Sequence, residues 1–143
     1  MVYNITKKTV LSNETKYAKG IIERGIGMIA RNFSNFDGMV FENCNTIHTL
    51  FMRIKLDIVF IDADNRITSL HSSVPAWIPM LRDKKGVTTI ELPEGTIAES
   101  NSAVGDILNI KTEINDEDYQ FIKPDILNNE PETVILPYTE ETK

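Results

Sequence analysis

"LDIVFIDADNRITSLHSS", residues 56–73, sets two runs rich in β-branched and aromatic residues on either side of a short polar insert. Such side chains pack well on a pleated surface and lose rotamer freedom in a helix, so both runs read as strands. The insert, "ADNR" at 63–66, contains Asp64 and Asn65, two residue types that tolerate the positive φ of a tight reversal. The stretch predicts an antiparallel hairpin with strands at 56–62 and 67–73.

Before the hairpin, "DGMVFEN" (37–43) and "TIHTLFMR" (46–53) have the same strand-like composition and follow each other closely. If 46–53 turned back at Ile54-Lys55, it would pair with 56–62. Downstream, "VPAWIPMLRDKKG" (74–86) holds two prolines and a glycine, which predicts a long connection laying Trp77 and Met80 over a core edge. "VTTIELPEG" (87–95) predicts a strand and a turn, "TIAESN" (96–101) a single helical turn, and "GDILNIKT" (105–112) a last strand entered through a turn at Gly105 and Asp106. At the other end, "VYNITKKTVL" (2–11) predicts one strand or two short ones. "SNETKYAKGIIERGIGMIARN" (12–32) opens with Ser, Asn and Thr caps and carries helix-like apolar spacing. Gly20, Gly25 and Gly27 break that helix, each costing about 1 kcal/mol against alanine. The expected fold class is mainly β (α+β): a compact antiparallel barrel or roll-like sheet with one or two short helices.

The chain has 143 residues, enough for one domain with a single core. Its net charge of −6 is unevenly spread. Residues 1–112 carry thirteen Lys/Arg and twelve Asp/Glu, whereas residues 113–143 carry two and nine. The expected organisation is therefore a nearly neutral β-rich domain at 1–112 followed by an acidic C-terminal extension at 113–143. Within that extension "TVILPY" can add a strand to an exposed sheet edge. The basic N-terminal portion does not interleave its Lys and Arg with aromatics, which argues against a nucleic-acid partner. No apolar run approaches the length of a membrane span, and "MVYNITKKTVLSN" lacks the apolar stretch of a signal peptide. With a single cysteine, a cytoplasmic setting is expected.

The order "ERGIGMIAR", "DGMVFENCNTIHTLFMRIKLDIVFID", "IELPEG" and "VGDILNI" resembles the bacterial and archaeal family known as domain of unknown function 192, over about residues 20–110. The centre matches the family's Cys…His-Thr…Phe-Met form before a Leu/Ile-Asp strand; Lys55 stands where members usually carry proline. The resemblance implies a small, mainly β fold and no particular chemistry.

Chemistry must then be sought in the residues. Cys44, His48, Arg53 and Asp57 place polar and reactive groups in the most apolar part of the chain. On one extended strand, Cys44 and His48 would stand about 13 Å apart between Cα atoms, too far for one metal ion or a nucleophile and base pair. Cys44 then packs as a small hydrophobe and His48 bonds a backbone carbonyl. Asp57, at the mouth of an apolar strand, needs Arg53 or turn amides as partners and pins a turn. "DADN" at 62–65 resembles the start of an EF-hand loop, but the glycine at its sixth position and the glutamate at its twelfth are lacking. Arg24 and Arg31 flank "GIGMIA" and could hold an anion. No cofactor is implied. Two functions of different class follow. One is a binding or accessory module taking a small molecule or a protein through a polar groove beside His48 and Asp57, with homodimerisation through strand edges. The alternative is a hydrolytic or metal-dependent enzyme using Cys44, His48 and Asp57.

Overall fold

The computed structural model describes residues 1–20 and 33–110. The chain separates into two units, Met1–Thr112 and Glu113–Lys143, and every described residue belongs to the first. The glycine-broken helix, the arginines at 24 and 31 and the acidic extension as an edge strand lie outside the described residues.

The described elements are β1 (Val2–Asn4), β2 (Thr9–Ser12), β3 (Thr15–Tyr17), β4 (Gly38–Phe41), β5 (Thr46–Ile47), β6 (Leu56–Ile61), β7 (Ile67–Val74), β8 (Leu81–Arg82), β9 (Thr88–Pro93), α1 (Thr96–Glu99) and β10 (Leu108–Ile110). They form a five-stranded sheet in the order β3-β4-β9-β6-β7, a three-stranded sheet β10-β1-β2 and a two-stranded pair β5-β8. The fold is mainly strand with one short helix among the described residues. The sheets are several and mostly antiparallel; none closes into a barrel, and β3 runs parallel to β4.

The central strand β6 is buried at all six positions, as expected of an apolar run covered on both faces. Alternation sends Val59 and Ile61 to one side, where they join Val40, Ile90, Leu92 and Ile97 and the three-stranded sheet's Val2, Leu11 and Leu108. Leu56, Ile58 and Phe60 go to the other side, with Met39, Phe41, Ile47 and Met52. The hairpin β6–β7 forms around Asp62, whose Oδ1 accepts the N–H groups of Asp64 and Arg66, while Asn65 takes φ 58°.

Two expectations about where strands and helices form need correction. Residues 46–53 do not form a strand beside β6: only Thr46 and Ile47 are extended, and they pair with β8, while β6 takes β9 and β7 as neighbours. The chain leaves the extended form because Thr49 is fully buried and binds the 75–78 connection. It donates N–H to Ile78 O, accepts Trp77 N–H, donates Oγ–H to Pro75 O and accepts Ile78 N–H. Nor does Ser12 begin a helix. The carboxylate of Asp37 accepts the Ser12 hydroxyl and the N–H groups of Asn13 and Glu14, and this steers 15–17 into β3.

Candidate ligand site

Strand β9 alternates as β6 does: Ile90 and Leu92 face the core under the three-stranded sheet, so Thr89 and Glu91 face the other way. Across the ladder Glu91 lies between Met39 and Ile58, both members of the second apolar cluster. The glutamate is only 2% exposed, and its Oε2 has no hydrogen-bond partner. Burial alone pushes its carboxyl up to about 8. At neutral pH the group is therefore mostly a neutral acid, with one O–H to donate and a carbonyl to accept. Such a group can bind a neutral polar head or exchange a proton with one.

On the same flank, β5 and the loop after it contribute Ile47 and Met52 to the second cluster, and His48 follows Ile47 in the sequence. Its Nδ1 is buried and likewise without a partner. Cys44 packs against this cluster, half-buried, with its thiol donating to Thr46 O at 3.2 Å. Its own carbonyl accepts the Thr89 hydroxyl, which ties the loop to β9 two residues from Glu91.

Asp57 lies elsewhere. In β6 it alternates with Ile58, so it shares the side of Val59 and Ile61 and faces away from Glu91. Fully buried, it accepts Ser73 N–H on Oδ1 and the N–H groups of Gly95 and Ile97 on Oδ2. These bonds fasten the end of β7 and the turn into α1 to the central strand. Arg53 is exposed, and Lys55 pairs with Glu94 at 3.4 Å on the surface. Cys44, His48 and Asp57 thus do not share one centre, and among the described residues no three His, Cys, Asp or Glu side chains are grouped as metal ligands would be. Gly105 takes φ 94°, and Asp106 accepts from Asn4 Nδ2 and Ala103 N–H. A separate open groove of about 530 Å³ lies between β2 and α1, lined partly by Asp37, Glu94 and Glu99.

Reasoning from sequence passed over Glu91. In "TTIELP" it reads as an ordinary outward residue of a half-buried strand. The signal lies in "IVFI" at 58–61, four consecutive apolar residues that require both faces of the sheet to be covered. An acid at the middle of the strand beside it must then be buried.

A family model matches residues 3–110, the DUF192 family, described as "Uncharacterized ACR, COG1430". The chain belongs to the DUF192 family. The match takes in every residue of the site. Two solved structures share the fold, each at 20% identity and a TM-score of 0.60. One is a protein of unknown function from Novosphingobium aromaticivorans DSM 12444, aligned over 67% of this chain and 74% of that one. The other, titled a "putative transcription regulator", is from Sinorhizobium meliloti 1021, aligned over 66% and 79%. A search of curated proteins finds no match. No helix among the described residues is long and apolar enough to cross a membrane.

Proposed function

We propose that this DUF192 protein is a small binding module whose ligand meets Glu91 and His48 on the apolar face of the five-stranded sheet. The observation that carries this reading is the Oε2 of the buried Glu91, which has no hydrogen-bond partner. A buried polar group left without a bond costs about 1–3 kcal/mol, and a ligand that completed the bonding would remove that cost. Met39, Phe41 and Ile58 suit an apolar body, and Glu91 with His48 suits a head that both donates and accepts, such as an amide or a carboxylic acid. Cys44 packs against this face, Arg53 is exposed on the loop after β5, and Asp57 lies on the opposite side of β6. Pairing through the exposed edge of β7 would give a homodimer. The nearly neutral 1–112 region supports a partner other than nucleic acid, and the unbridged cysteine supports a cytoplasmic setting.

Replacing Glu91 by leucine tests this. If the carboxyl is kept for a ligand, Glu91→Leu unfolds at a higher urea concentration than the natural protein. Native mass spectrometry of protein purified from its host would then show a bound small molecule that the variant lacks. A clear loss of stability in Glu91→Leu would make the carboxyl a structural part and end this reading.

A further inference from the structure

Phe51 and Trp77 are 60% exposed and Met80 65%, although the connection bearing Trp77 was expected to fold over a core edge. The two rings meet edge to face, 5.1 Å between centroids, so Phe51 and Trp77 form one patch, and Met80 follows three residues along the same connection. Both residues adopt left-handed backbone, φ 64° at Phe51 and 70° at Trp77, a conformation that bulky side chains rarely take. Thr49 enforces it. Its carbonyl accepts N–H from Trp77 and Met52, and its hydroxyl joins Pro75 and Ile78, so one buried threonine holds both loop tips. The backbone is thus held so that an aromatic pair stands out of the surface instead of collapsing onto the core.

Residues 46–56 and 75–82 contain Arg53, Lys55 and Arg82, and of the acids that directly follow them Asp57 is buried and the Asp83 carboxylate is taken up by Thr68, Ser69 and Lys85. Lys55 has Glu94 as a surface partner; Arg53 and Arg82 are exposed. Each apolar side chain is more than half exposed, so the three project from the surface as tips.

The geometry points to a membrane-surface contact: Phe51, Trp77 and Met80 enter the headgroup region of an anionic bilayer while Arg53 and Arg82 meet its phosphates. Tryptophan favours that depth, and cationic side chains add attraction only where the lipid is anionic. The contact is peripheral and reversible, since neither three side chains nor a few charges alone anchor a protein firmly.

Trp77 is the chain's single tryptophan, so its emission reports the contact directly. The full chain is mixed with vesicles of phosphatidylcholine containing 30% phosphatidylserine, or of phosphatidylcholine alone, about the composition of a strongly anionic leaflet. The expected result is a blue shift and cosedimentation with the anionic vesicles only. In Phe51→Asn and Trp77→Asn, partition should fall at least about tenfold; asparagine tolerates the left-handed backbone, which keeps the fold. Arg53→Ser, outside the strained turns, should also weaken partition. No shift with anionic vesicles would overturn the proposal, as would equal partition of the variants. A shift with an acidic amphipathic peptide but not with vesicles would assign the patch to a protein partner and overturn it equally.

Discussion

Asp57 stands opposite Leu92 and Ile58 opposite Glu91, so two buried acids lie one step apart along the paired strands β6 and β9 and face opposite sides. Asp57 accepts three backbone N–H groups; Glu91 Oε2 accepts none. Their substitutions should therefore act in opposite directions. Asp57→Ala removes the acceptor for three amides, two of them in the turn into α1, and should cost about 3 kcal/mol or more in urea denaturation. Glu91 acts through its proton. Its carboxyl, ordinarily near 4.5, is raised to about 8 in the fold, so the folded state holds a proton the unfolded state has released. Stability should fall as pH rises from about 4.5 to 8, with a slope approaching 1.4 kcal/mol per pH unit. In Glu91→Gln that slope should vanish, as urea midpoints measured from pH 5 to 9 would show.

At the scale of elements, turns carry most of the specification. Thr49→Val keeps the shape of the side chain and removes the hydroxyl that bonds Pro75 O and Ile78 N–H. A loss of about 1–3 kcal/mol is expected, with Trp77 emission changing as the two loops come apart. Gly38, at the start of β4, approaches β2 so closely that an added Cβ would lie 2.5 Å from Ser12 Oγ and 2.7 Å from Ser12 Cβ. Gly38→Ala should then be destabilising by about 1–3 kcal/mol, and Ser12→Gly in the same chain should recover part of the loss. Elements whose own residues set their shape were legible in the sequence: the 56–73 hairpin, the 88–93 strand, the helical turn after Gly95 and the strand after Gly105. Those set by distant partners were not. The strand at 15–17 depends on a carboxylate at position 37, and the loop at 48–55 on bonds from Thr49 to residues 75–78. For the same reason Asp57 could be read as bound to turn amides, while the turns that supply them, at Ser73, Gly95 and Ile97, could not be foreseen. Local pattern says which residues suit a strand; only the assembled sheet says which side of it each one faces.

Four acids of the described molecule have pH signatures of opposite sign, three against one. Asp37, Asp83 and Asp106 are each penalised by burial, but hydrogen bonds outweigh it and hold them below the usual carboxylate range, Asp83 at about 2. Asp83 receives the Thr68 and Ser69 hydroxyls and Lys85 N–H, joining the β7 edge to the turn after β8. Their contribution is complete above the ordinary aspartate range and is lost as pH falls through the lowered values. Glu91 withdraws stability in the other direction as pH rises. Together they place the optimum at about pH 5, the acid end of the usual range, and thermal unfolding across pH 3–9 would locate it. The three-stranded sheet adds a constraint in time. Strand β1 finds β2 within a few residues, yet its other edge is completed only by β10, with Val2 opposite Ile110. A nascent chain leaving the ribosome therefore carries its first strand half-paired until residue 110 has emerged. Over that interval the open edge is a natural point of attack for chaperones, or for another newly made copy.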